Sequence, residues 1–192
     1  MGAFMDPPPG GWTADDLDTL PNLPPHTELI DGNLVLPSPQ TLFHTRSVSL
    51  LERLLESLAP PDLAVLSRFT IDIDRHNRPE PDVLVVHEHA IQGWDQTRLP
   101  AEDVVLAVEV VMAESLTRDS EIKPVKYAGA GIPHYWRVEG EEGQVVVSVF
   151  EREPATGAYA GTGIFHDRVK VSVPFPMDLD LTSITRRRRK PD

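Results

Sequence analysis

A chain of 192 residues, 40% hydrophobic and 25% charged, is long enough for one ordinary core, and no shift in composition divides it. It has no cysteine, which excludes disulfides and thiolate metal sites and leaves oxygen or imidazole ligands for any metal chemistry. The net charge of −12 includes +4 on Ser183 to Asp192; the remaining −16 argues against a protein that coats nucleic acid through its phosphates.

Residues 1–11 read as a disordered or vector-derived leader, with Pro7, Pro8 and Pro9 where a signal peptide needs an apolar core. No apolar run approaches the roughly 18 residues of a membrane span, so a cytoplasmic protein without membrane contact is expected. Thr13 followed by Asp15 and Asp16 predicts an N-cap and a short helix that Pro21 stops. Glu28 to Ile30, Asp31-Gly32-Asn33 and Leu34 to Leu36 read as strand, tight turn and strand, a β-hairpin.

From Thr41 to Leu58, Val48, Leu51, Leu54, Leu55 and Leu58 recur at intervals of three and four, predicting an amphipathic helix that Pro60-Pro61 ends. Phe69, Ile71 and Ile73 alternate with polar residues, as in a strand with one wet face. Val83 to Val86 and Val104 to Val111 are nearly continuous apolar runs, expected of central strands covered on both faces. A helix is predicted from about Asp119 to Ala130, closed by Gly129, Gly131 and Pro133. Pro124 fits it only in a first turn or at a kink. Strands at Tyr135 to Val138, Val145 to Phe150 and Tyr159 to Phe165 complete a single α/β domain over residues 12–182 with a mixed sheet. Residues 183–192, with Arg186 to Lys190, read as a basic disordered tail.

Two carboxylates stand where burial is expected: Asp82 opens one apolar strand and Glu109 lies late in another. A charge that close to a core is costly unless it is paired or bound to a metal. Magnesium commonly takes one or two carboxylates plus waters and substrate oxygens. Asp82 and Glu109 are therefore candidate ligands for Mg2+ or Mn2+, and Lys123, on the following helix, is a candidate to orient a water. Solvated strand ends and a solvated helix lysine are the plain alternatives, with Lys126 a nearby decoy. Tyr127 reads as packing with its hydroxyl at the rim. His134 enters only if its side chain turns inward. Glu28 and His44 are secondary candidates, although alternation alone makes Glu28 an outward strand residue.

Glu28-Leu29-Ile30-Asp31-Gly32-Asn33, His44 after Ser38-Pro39, Pro81-Asp82-Val83, Val108-Glu109-Val110, Asp119 with Lys123 and Tyr127-Ala128, and Gly131 to Val138 occur in an order that resembles the Uma-two family. That family is a branch of the PD-(D/E)XK nuclease-like superfamily, and the matching pieces span roughly Thr13 to Leu181. The resemblance implies an α+β restriction-endonuclease-like fold, with a central mixed β-sheet flanked by helices and extra C-terminal strands. It also implies a divalent-metal nuclease site on Asp82 and Glu109, with Lys123 as the basic member and Glu28, His44, Asp119 and Tyr127 as accessories. The superfamily's lysine two positions after the glutamate is absent, since that position is Val111, and the helix lysine takes its place. The family's Ser-Pro-Ser-Thr is here Met112-Ala113-Glu114-Ser115, which alters the polarity of that loop. A nucleic-acid substrate, DNA first, and a homodimer are the expected partners. The competing expectation is an inactive nuclease-fold protein serving as a scaffold homo-oligomer, which the acidic body favours.

Overall fold

The computed structural model describes residues 6–186, so expectations for residues 1–5 and 187–192 lie outside the described residues. Helix α1 (Ala14–Thr19) starts at a capping box in which the Thr13 hydroxyl accepts from the Asp16 N–H while the Asp16 carboxylate accepts from the Thr13 N–H. Strands β1 (Glu28–Ile30) and β2 (Asn33–Val35) form the expected antiparallel hairpin. Its turn places Asp31 at φ 50° and Gly32 at φ 71°. An added Cβ on Gly32 would meet the Gly11 backbone at 3.2 Å, so the position is restricted by both conformation and space.

Helix α2 (Leu42–Leu58) is capped by Thr41 and buries Val48, Leu51 and Leu55 of the predicted stripe, with Leu54 half-buried beside them and Leu58, at the helix end, exposed. Strands β3 (Leu63–Ser67) and β4 (Thr70–Asp72) are separated by Arg68, at φ 51°, and Phe69. That kink removes β4 from the main sheet and pairs it, in parallel, with β6 (Arg98–Pro100). Strands β5 (Val83–His87) and β7 (Val104–Val110) occupy the centre. They are followed by β8 (His134–Glu141), β9 (Gln144–Arg152) and β10 (Tyr159–His166). The six-stranded sheet runs β10-β9-β8-β7-β5-β3, antiparallel throughout except for β7 and β8. A parallel neighbour requires a crossover, and α3 (Lys123–Gly129) lies in it.

Strand alternation sends side chains to two cores. On one face Val83, Val85, Leu106, Val108 and Trp136 pack with α2, joined by Val169 from β11 (Arg168–Val171), Leu179 from β12 (Met177–Asp180), Ile184 from α4 (Thr182–Thr185) and Leu181 between the last two. On the other face Leu84, Ala107, Ile132 and Tyr135 pack with Tyr127. Burying both faces of β5 and β7 explains their unbroken apolar runs. No helix among the described residues is long and apolar enough to cross a membrane.

Candidate active site

The antiparallel register pairs Val83 with Val108. One step further along each strand sets Asp82 opposite Glu109, on the face shared with Leu84 and Ala107. Asp82 is fixed from both sides: its Oδ2 accepts the Val110 N–H at 2.8 Å, and its Oδ1 lies 2.9 Å from His44 Nε2 in the first turn of α2. Asp82 thus ties the sheet end to the start of that helix.

Pro124 has its explanation beside this site. The turn Arg118–Ile122 is π-helical, and the Lys123 N–H bonds to the Arg118 carbonyl. The wider turn admits Pro124 in the first turn of α3, where a missing donor costs little. Asp119, Lys123 and Tyr127 all turn inward from this segment and are buried.

Lys123 is 3% exposed and lies among three carboxylates: Glu28 Oε1 at 2.8 Å, Glu109 Oε1 at 2.9 Å and Asp119 Oδ1 at 3.6 Å. Burial alone would lower its affinity for a proton. The facing carboxylates outweigh that and hold the ammonium well above its ordinary pKa. Glu109, 2% exposed, is pushed well above the usual carboxylate range by burial, with Asp119, Asp82 and Glu28 adding to the rise and Lys123 opposing it. Asp119 is raised for the same leading reason.

Tyr127 is fully buried rather than at the rim, and its hydroxyl donates to Glu109 Oε1 at 2.6 Å. Burial and Glu109 raise its pKa well above the ordinary tyrosine value, so it remains a donor. Glu28 is not the outward residue that alternation suggests: it is 8% exposed, and its Oε1 also accepts the Glu80 N–H at 2.7 Å. Lys126 is outside the group, paired with Asp31. His134 is half-buried, its Nδ1 is enclosed without a hydrogen-bond partner among the described residues, and it does not line the cleft. In the loop that differs from the family pattern, Glu114 accepts from the Ser38 hydroxyl at 3.1 Å, while Ser115 Oγ accepts the Met112 N–H at 3.1 Å.

Asp82, Glu109, Lys123, Glu28, His44 and Asp119 line one cleft, which also receives His26, Arg68, Glu80 and Arg118. None of these four stands out by sequence. Arg68 follows a strand whose end is not visible in the periodicity, and Arg118 sits in a stretch that reads as the approach to a helix. The cleft has a volume of about 70 Å3, room for a cation and a few waters.

Five carboxylates line it, Glu28, Glu80, Asp82, Glu109 and Asp119, against the fixed cations Arg68, Arg118 and Lys123. Buried Asp119 Oδ1 has no hydrogen-bond partner among the described residues, and the Lys123 and Tyr127 bonds to Glu109 both fall on Oε1. Hard oxygen donors in excess of positive charge suit Mg2+ or Mn2+. Among the described residues no three His, Asp or Glu side chains form a ready-made cage. The fit is therefore to a cation held by two carboxylates with water completing its shell, the usual habit of magnesium.

Comparison with known proteins agrees with this architecture. A protein of Anabaena variabilis described as a putative nuclease belonging to DUF820 has a TM-score of 0.66 at 17% identity, covering 90% of this chain and 98% of its own. At that identity the likeness shows the fold, which is restriction-endonuclease-like. The cAAA-bound NucC of Pseudomonas aeruginosa matches 60% of this chain and 70% of its own at 14% identity, but with a TM-score of 0.39 it adds nothing to the comparison. No curated protein matches. The family model described as "Uma2: Putative restriction endonuclease" matches residues 14–183, nearly the whole domain, and the chain belongs to that family.

Proposed function

We propose that this protein is a Mg2+- or Mn2+-dependent nuclease that hydrolyses phosphodiester bonds, with Asp82 and Glu109 holding the cation and Lys123 positioning the attacking water. The single observation that carries the reading is the opposed pair Asp82 and Glu109 at the end of two buried strands, with Lys123 Nζ 2.9 Å from Glu109. Family membership supports a nuclease-type function. A bound divalent cation would stabilise charge on the phosphate and lower the pKa of a water.

The chain's own residues would do the rest. An ammonium has three donors. Two of Lys123's reach Glu28 and Glu109, while Asp119 at 3.6 Å is beyond hydrogen-bond length, so one donor is free for a water in the cleft. Tyr127 and Lys123 together fix the rotamer of Glu109, and His44 with the Val110 N–H fixes Asp82. Held groups of this kind avoid reorganisation at the moment of reaction.

The test is incubation of supercoiled plasmid DNA and of single-stranded RNA with purified protein in Mg2+, in Mn2+ and in EDTA. Nicking or degradation of at least one substrate with either metal, abolished by EDTA, is the expected result. Absence of cleavage with both metals would sink the proposal. Cleavage should also weaken on acidification. Glu109 and Asp119 hold their protons above the ordinary carboxylate range, and a carboxylate must be deprotonated to bind metal. Raising the metal concentration should offset part of that loss.

A further inference from the structure

Arg118 projects from the π-helical turn into the cleft, and its nearest carboxylates, Glu28 Oε2 at 3.8 Å and Asp119 Oδ1 at 3.7 Å, are both beyond hydrogen-bond length. Its inner nitrogen, Nε, is enclosed and has no hydrogen-bond partner among the described residues. The side chain as a whole retains 28% exposure and lines the cleft. An arginine among acids that forms no close pair with any of them calls for explanation, since desolvating it partly costs free energy that only an acceptor returns.

The cleft carries a second such residue. Arg68 lines the same cleft, is 37% exposed in its side chain, and comes no closer than 3.8 Å to Glu80, whose Oε1 is engaged at 2.6 Å by His26. Arg68 and His26 both hold left-handed backbone, φ 51° and 64°, a conformation that costs free energy for non-glycine residues and clusters at functional sites. The same cleft is lined by five carboxylates that would repel a phosphate.

From this we infer that Arg118 is the phosphate-binding residue of the cleft, its fork directed at non-bridging oxygens of the phosphodiester next to Asp82 and Glu109, and that Arg68 at the mouth holds a neighbouring phosphate of the same strand. The inference rests on the nuclease reading. Guanidinium recognises phosphate with two parallel N–H donors, a geometry that lysine does not reproduce. It also resolves a conflict of charge, because an acidic body with an acidic cleft needs unpaired cations to admit a polyanion. Arg118 acts here as a positioning residue that binds the substrate and moves no proton.

The test compares wild type, Arg118→Ala, Arg118→Lys and Arg68→Ala on a fluorescein-labelled DNA duplex, measuring cleavage kinetics in Mn2+, binding in EDTA over a range of salt, and thermal melting. Loss of a charge-assisted hydrogen bond to phosphate should lower kcat/KM of Arg118→Ala by roughly 10- to 100-fold, chiefly through KM. Arg118→Lys should recover part of that loss, and the salt dependence of binding should fall by about one counterion in Arg118→Ala. Arg68→Ala should show a smaller rise in KM in the same direction. Melting should stay close to wild type in all three, since neither arginine makes a short ion pair. An active wild type with Arg118→Ala unchanged in kcat/KM and salt slope would overturn the assignment and leave the nuclease reading intact. Loss in Arg118→Ala with a matching drop in melting, no recovery in the lysine variant and an unchanged salt slope would also overturn it. A wild type that neither binds nor cuts the duplex, nor cuts RNA, would overturn both readings.

Discussion

Replacing Glu109 by glutamine should reduce metal-dependent cleavage by roughly a thousandfold or more while leaving the fold close to wild type. The glutamine side chain would occupy the same volume, and its amide oxygen could still accept from Lys123 and from Tyr127, which now bond to the Glu109 carboxylate at 2.9 Å and 2.6 Å. What the variant loses is the charge that the proposed function assigns to holding a cation. Alanine is the poorer probe, because it leaves the Tyr127 hydroxyl without its acceptor at a fully buried position. Cleavage rates in Mn2+ measured beside urea denaturation separate the two effects. Full activity in Glu109→Gln would remove this carboxylate from the chemistry.

The largest effect on stability is expected at Lys123. Exchanging it for methionine keeps much of the volume but removes the ammonium that faces Glu28, Glu109 and Asp119. Breaking a buried ionic cluster from one side costs about 3–5 kcal/mol. For a domain of this size that corresponds to a fall in Tm on the order of 10 °C. The deficit should depend on pH. Glu109 and Asp119 have folded-state pKa values above their ordinary ones even with Lys123 present, because burial opposes their charge. Removing Lys123 takes away the charge that holds those values down. A carboxyl with a raised folded-state pKa contributes stability that is fully present below its unfolded value and is lost as pH rises through the folded one. Lys123→Met should therefore lie nearest to wild type in mild acid and furthest from it at neutral pH. Mn2+ should raise its Tm more than it raises that of wild type, since the nearest cation left to these acids, Arg118, stands 3.7 Å from Asp119 and 3.8 Å from Glu28. A methionine variant that melts like wild type at neutral pH, with no added response to Mn2+, would contradict this picture of the cluster.

Much of the fold is legible in the sequence because its signals are local. The Thr13 cap, the Asp31-Gly32 turn, the α2 stripe and the doubly buried β5 and β7 each follow from residues within one element. The break at Arg68 is not visible, because nothing in the alternation of Phe69, Ile71 and Ile73 shows that the backbone turns left-handed one residue earlier. Pro124 marks an irregularity in the helix without revealing its kind, since a first-turn proline and a kink have the same sequence cue.

The candidate site divides along the same line. Glu109 is conspicuous as a charge inside an apolar run, whereas Glu28 hides in a three-residue strand too short for alternation to establish which face is wet. Tyr127 carries the spacing of a core residue and is one, but its bond to Glu109 depends on the rotation of α3 that the π-turn sets. Arg118 lies in that turn, where helical spacing fails, so its place in the cleft is a property of tertiary structure alone.

The most direct measurement is the anomalous scattering of crystals grown with Mn2+. The account predicts one manganese peak within direct-coordination distance of carboxylate oxygens from both Asp82 and Glu109, about 2.0–2.3 Å, with waters completing the shell and Lys123 Nζ next to one of them. Crystals saturated with Mn2+ that show no peak in this cleft, or a peak that only one of the two carboxylates reaches, would contradict it.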